Sequence, residues 1–221
     1  MLNQEQTRSE LLKLIAIVSM VCDHVGAVLL PQYPILRIIG RIAFPIFAYQ
    51  LAVGYAHTSN VRRYEWRLLL FALLSQLPFV LYFDTYGTNI MVTLLTSLII
   101  MERFAKREWY VAVLILLVPY FLRNDYGVFG VLLPLLFHWT RGQKKWVAFL
   151  LLSLLNTVYS GYIGMVYGIW WQLFGVIGIA IALWMPSIKT WRWKINKYAF
   201  YGFYPAHLAL LWFLHVFVFR G

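Results

Sequence analysis

Leu11 to Leu30 reads LLKLIAIVSMVCDHVGAVLL, a mostly apolar run with Lys13 near its start and the pair Asp23–His24 deep inside it. Twenty residues of α-helix rise about 30 Å, the thickness of a bilayer's hydrocarbon core. The run is therefore expected to span a membrane. Ionisable side chains at that depth are costly in lipid and face a bundle interior or a water-filled cavity. Lys13 and His24 stand eleven residues apart. At 3.6 residues per turn this puts them on nearly one face, about 16 Å apart along the axis. Asp23–His24 also interrupts what would be the apolar region of a cleavable signal, and no small-x-small site follows, so the helix is expected to be retained.

The rest of the chain is built the same way. Of its 221 residues 62% are hydrophobic, and apolar runs fill Leu11 to Phe219 with only short polar breaks. The expected fold class is an all-α polytopic membrane bundle, residues 1–221 forming a single transmembrane domain. A net charge of +11 raises the question of nucleic acid. In a membrane chain, cytoplasmic basic loops and attraction to anionic lipid account for it, so the bilayer is the expected partner and nucleic acid is not. Cys22 is the single cysteine, which leaves no disulfide framework or thiolate metal site.

Met1 to Glu10 is polar and short and is expected to be a lead-in on the surface, and nine membrane segments are expected after it. Helix 1 covers about 11–30 and turns at Pro31–Pro34; helix 2 covers about 35–57 and contains Arg37, Arg41 and then Pro45. A proline inside a helix removes a hydrogen bond to residue i−4, here the carbonyl of Arg41 itself, and kinks the chain. A polar connection from His57 to Arg67 leads to helices at about 67–83 and 88–102. Two marginal runs follow, about 109–122 and 126–139, short enough for a re-entrant hairpin. Helices at about 146–159 and 166–185 are separated by a turn at Ser160–Gly164, and a Lys- and Trp-rich loop, 186–197, precedes the last helix at about 198–219. Lys and Arg concentrate in alternate loops, with only Arg123 in the others. The positive-inside rule then places the N-terminus in the cytoplasm and the C-terminus outside.

With that orientation three helices bring Asp23, His24, Arg41 and His207 to one depth, with Pro45 and Pro205 kinking two of them. Neighbouring helical residues point about 100° apart, so Asp23 is expected to pair across to Arg41 or Arg37 rather than with His24. A buried imidazole loses its proton through desolvation and regains it beside a carboxylate, which poises His24 as a general base near neutral pH. A pair that only fastens the bundle is the plainer alternative. A zinc site from His24, His207 and Asp23 lacks any HExxH-type spacing, so no metal is expected. His57, His138 and His215 lie at helix or loop ends and read as interfacial. No phosphate-cradling glycine loop or nucleophile elbow is present.

The segments KLIAIVSMVCDHVG, LRIIGRIAFPIFAYQLAVGYAHTSN, RLLLFALLSQLPF, DYGVFGVLL and KYAFYGFYPAHLALL resemble the TraX family, whose namesake is an inner-membrane protein linked to N-terminal acetylation of conjugative pilin. The helix 4 segment TNIMVTLLTSL fits less closely. The family is in turn similar to membrane-embedded acyltransferases that use cytoplasmic acetyl-coenzyme A, many of which carry a basic residue, ten others, then a histidine in the first helix. The resemblance implies a multi-pass protein of the bacterial cytoplasmic membrane with acetyl-coenzyme A as donor. It makes His24 the catalytic histidine and Lys13 a donor-channel residue, while Arg37 and Arg41 have no exact counterpart in it. From their own places in the chain, Asp23, Arg41 and His207 are the further catalytic candidates, and Arg37, Tyr201, Tyr204 and Lys197 the further donor-binding ones. Arg41, Tyr204 or His207 would face the thioester oxyanion. The acceptor, a peptide or pilin terminus, a glycan or a lipid, is not encoded in a readable motif. N- and O-acetylation, and direct transfer or an acetyl-histidine intermediate, all fit the residues.

Two other classes compete. A proton-coupled transporter or channel would use the same buried Asp, His and Arg as a relay, although no inverted repeat is visible. A non-catalytic assembly factor would leave the buried charges without a purpose. The orientation is tested by substituted-cysteine labelling in a Cys22-free background. Cysteines at positions 62, 106, 144 and 194 should react only from the cytoplasmic side; external labelling at 106 or 144 would reverse the topology.

Overall fold

The computed structural model describes residues 4–185 and 194–219. In chain order its α-helices are α1 (Gln4–His24), α2 (Pro34–Gly40), α3 (Ala43–His57), α4 (Val61–Phe83), α5 (Ile90–Ala105), α6 (Trp109–Ile115), α7 (Val118–Phe121), α8 (Gly127–Trp139), α9 (Lys145–Tyr167), α10 (Gly175–Trp184) and α11 (Lys197–Leu214). Among the described residues there is no β-strand. Arg8–Leu29, Pro34–His57, Val61–Phe83, Lys145–Tyr167 and Lys197–Val218 are long and apolar enough to cross a membrane, and three shorter apolar helical stretches accompany them. The protein is a multi-pass helical membrane protein. One face of α4 is exposed through Leu70, Leu73, Leu74, Leu77 and Leu81, as a lipid-facing surface requires.

The chain divides into two compact units. One comprises Met1–Gln50 and Trp139–Phe200, the other Leu51–His138 and Tyr201–Gly221. In the first, Leu12, Ala16 and Ile46 form a fully buried core against Ile15, Ile42, Phe47, Tyr49, Ile181 and Met185. In the second, polar side chains fasten the connections. Asn89 caps α5 by accepting from the Met91 N–H at 3.0 Å and donates to the Ala72 carbonyl at 2.8 Å. Gln76 donates to the Gly87 carbonyl at 2.8 Å, and Thr93 to that of Asp125 at 2.8 Å. These amides and hydroxyls satisfy backbone groups that lipid cannot.

Several boundaries differ from those expected, each for a local reason. Helix 2 is broken into α2 and α3 at Arg41–Ile42, four residues before Pro45, where the ring denies Arg41 its α-helical partner. Helix α4 begins at Val61 rather than near Arg67, because the Asn60 side chain accepts from the Arg63 N–H at 2.8 Å. Arg62, Arg63 and Arg67 ride on its first turns and are not in a loop. Ser160–Gly164 is not a turn. Ala148, Leu152, Asn156, Ser160 and Gly164 recur every fourth residue as one buried stripe, so α9 continues through them. It stops instead at Gly168, whose φ of +69° suits glycine and whose N–H caps the Gly164 carbonyl at 3.0 Å. The following expected helix divides into a 3₁₀ turn, Trp171–Phe174, and α10. Of the Lys- and Trp-rich loop, residues 186–193 lie outside the described residues.

Close approach within the first unit depends on Gly178. A Cβ there would stand 2.6 Å from the Ile42 carbonyl oxygen and 3.0 Å from its Cα, both backbone atoms with little freedom to retreat. Gly178→Ala should therefore destabilise the protein by about 1–3 kcal/mol, the usual cost of overpacking. Thermal unfolding in detergent measures it; an unchanged melting temperature would show that α10 shifts freely.

Candidate functional site

The carboxylate of Asp23, one residue before the end of α1, is held by two guanidiniums. Arg37 Nη1 donates to Asp23 Oδ2 at 2.9 Å and to the Asp23 main-chain oxygen at 3.0 Å. Arg41 Nη2 donates to Oδ1. Asp23 and Arg41 are both buried, 9% and 8% exposed. The two arginines are four residues apart on α2 and its end, so they reach the same side, and Arg41 Nε also approaches the Arg37 carbonyl at 3.4 Å. Gly40 lets α2 come this close, since a Cβ there would collide with Asp23. Just after His24 the helix widens into a π-helical turn, Val25–Leu29, in which the Leu30 N–H reaches back five residues to the Val25 carbonyl at 2.9 Å. Such turns re-aim side chains and recur at functional sites.

Arg41 is fixed on its other side as well. Its Nη1 donates to Gln172 Oε1 at 3.3 Å, Gln172 Nε2 donates to Asn156 Oδ1 at 3.3 Å, and Asn156 Nδ2 returns to the Gln172 carbonyl at 3.2 Å. The chain Asp23–Arg41–Gln172–Asn156 thus joins α1, the α2–α3 break, the 3₁₀ turn and α9. Sequence reading identified the ion pair and missed the two amides. Their signal was present, because an Asn and a Gln inside apolar helical runs mark interhelical hydrogen bonding.

Of the other expected site residues in this unit, His24 is buried and closes α1. Lys13 lies on the same uninterrupted helix, its ammonium 2.8 Å from Glu10 Oε1 and 5.8 Å above the ring of Phe200. Glu10, expected in a surface lead-in, is instead buried within α1. Lys197 begins α11 with its ammonium 5.1 Å from the Tyr198 ring. The structure therefore brings Asp23, Arg37 and Arg41 together and places Lys13 and His24 along one helix.

The remaining candidates belong to the second unit. His207 is buried, its ring stacked on Phe203 at 5.0 Å and 7°, and its Nδ1 lies 2.9 Å from the Phe203 carbonyl. A carbonyl only accepts, so in this contact Nδ1 carries the proton. Tyr204 is buried with its ring 5.6 Å from that of His207. Tyr201 stacks on Phe71 at 5.4 Å and hydrogen-bonds with Tyr64.

A helical membrane protein with a carboxylate buried between two arginines beside a histidine is the class this geometry defines. Within that class, residues 8–215 match the model of the TraX protein family, and the chain belongs to that family. It is similar to a probable fimbrial assembly protein, FimC of serogroup H1, from Dichelobacter nodosus, with 26% identity over 90% of this chain and 92% of the relative. It is also 33% identical to an uncharacterized protein of Rickettsia prowazekii (strain Madrid E) over 38% of this chain and 33% of that protein. No solved structure matches.

Removing one partner of a buried ion pair strands the other and costs roughly 3–5 kcal/mol. Asp23→Ala strands Arg41 and Arg37 together and should destabilise more than Arg41→Ala, which leaves Asp23 paired with Arg37. Detergent melts of the variants test this. An Asp23→Ala protein no less stable than Arg41→Ala would show that the cluster does not carry the stability of this region.

Proposed function

We propose that the protein is an acetyltransferase that takes the acetyl group of cytoplasmic acetyl-coenzyme A and passes it to an amine or hydroxyl at the outer face of the bacterial cytoplasmic membrane. The observation that carries this reading is the unbroken α1, Gln4–His24, which keeps Lys13 and His24 eleven residues apart on nearly one face. That is the basic-x10-His arrangement of membrane acyltransferases to which the sequence is similar. A pilus subunit is the acceptor favoured by membership of the TraX family and by the fimbrial assembly name of the Dichelobacter relative.

The residues supply a complete reaction. Coenzyme A is a polyanion with a long thin arm. Its phosphates meet Lys13 and the cytoplasmic basic residues, including Lys197, while the arm follows the α1 face toward His24. His24 takes a proton from the acceptor nitrogen or oxygen as that atom attacks the thioester carbonyl carbon. The tetrahedral oxyanion is met by the Arg41 guanidinium, which Gln172 and Asp23 hold in place. The C–S bond then breaks, coenzyme A leaves as a thiolate, and the proton held by His24 returns to that sulfur. Cytoplasmic basic loops set the N-terminus inside and the C-terminus outside, so the donor enters from within.

A transporter would also explain buried charge, but it has no need of the Lys13–His24 spacing. The distinguishing assay is turnover of acetyl-coenzyme A by purified protein in detergent with a peptide amine as acceptor. His24→Ala should lower acetyl transfer by about 10²–10⁴-fold, the usual contribution of a general base, with little change in the melting temperature. A well-folded variant retaining most of its activity would move the base elsewhere, with His207 the next to test.

A further inference from the structure

Glu10 lies one turn before Lys13 on α1, and it is 4% exposed. Both of its oxygens are engaged. Oε1 accepts from the Lys13 ammonium at 2.8 Å, and Oε2 accepts from the main-chain N–H of Ile195 at 2.8 Å. Ile195 stands two residues ahead of α11, whose first turn is capped by the Asn196 side chain accepting from the Tyr198 N–H at 2.8 Å. The ring of Phe200 in that turn covers Lys13, and the Lys13 side chain keeps 19% exposure. A buried carboxylate thus bridges a partly accessible ammonium and a backbone N–H. Of these two donors the ammonium, a partly accessible point cation, is the one that receives a phosphate oxygen.

We infer that Glu10 is a displaceable internal counter-ion of Lys13, standing where a phosphate oxygen of the coenzyme A moiety binds, so that donor binding exchanges one anion for the other. This rests on the proposed role of Lys13 in holding the donor. With Glu10 in place the ammonium is already paired, and an approaching phosphate meets a like charge beside its intended partner. When the carboxylate swings away, the Ile195 N–H is released as well. Occupancy of the donor site is thereby coupled to the segment that leads into α11. Glu10 sets donor affinity through Lys13 and does not touch the reacting atoms, which makes it a positioning residue.

Glu10→Gln keeps the side-chain size and an oxygen for the Ile195 N–H while removing the charge. Calorimetry of the full-length protein in detergent, titrated with coenzyme A itself, should show binding tightened about three- to tenfold, with the gain shrinking at high salt. In a Lys13→Met background the same change should have little effect, because the repulsion acts at the shared lysine site. A purely structural latch would weaken binding or leave it unchanged, and either result with a folded Glu10→Gln protein overturns the inference. It would leave the acetyltransferase reading intact, since coenzyme A still binds; absence of binding by every protein overturns both. A second readout needs no variant. Adding coenzyme A to the wild-type protein should accelerate amide hydrogen exchange at Ile195, and protection of that amide would contradict the exchange of anions.

Discussion

Asp23 is a carboxylate placed among apolar helices, and much of the first unit is arranged to give it partners there. Charge in a low-dielectric interior is tolerated only with partners of opposite sign and good geometry. Arg37 meets both its carboxylate and its main-chain carbonyl, and Arg41 meets the other oxygen. Those contacts require α2 to lie almost against α1, which the missing side chain of Gly40 allows. Arg41 itself stands at the break between α2 and α3, four residues before Pro45. The amides of Gln172 and Asn156 then restrain the far side of the guanidinium, so four elements share responsibility for one charge.

This dependence explains why some of the architecture was legible in the sequence. An Asp and an Arg in apolar runs can have few partners other than each other, so a contact of Asp23 with Arg41 or Arg37 followed from cost, and both arginines make it. A kink before Pro45 followed from the backbone chemistry of proline, but not that it divides the helix at Arg41–Ile42. Helix ends were harder. Ser160-Gly-Tyr-Ile-Gly164 has turn composition, yet the buried stripe from Ala148 to Gly164 outweighs the local preference, and the stop falls at Gly168 where φ is positive. Glu10 was misplaced because its neighbours are polar. One of its partners is the N–H of Ile195, 185 residues away, which no local pattern reports. Gln172 was overlooked although an amide inside an apolar run is itself a signal; what the sequence does not give is its partners, Arg41 and Asn156.

In the proposed reaction, Lys13 and His24 on one uninterrupted helix define a line from the cytoplasmic edge toward the middle of the membrane. Glu10 stands at the inner end of that line and the Asp23–arginine cluster beside its outer end. We read the first as the place where donor phosphates are admitted and the second as a preorganised positive site for charge that develops in the transition state. Preorganisation is the economical route here, because an arginine already fixed by a carboxylate and an amide needs no rearrangement during reaction. In that proposal the same contacts serve folding and chemistry, so the two roles separate only when stability and rate are measured on the same variants.

The central claim is that the acetyl group crosses the membrane through this protein. Vesicles containing the purified protein in one known orientation test it most directly, with acetyl-coenzyme A supplied only to the cytoplasmic face and a membrane-impermeant peptide amine held on the opposite side. The account predicts acetylated peptide, formed in proportion to the donor consumed. Acetylation only when donor and acceptor share one side would contradict it.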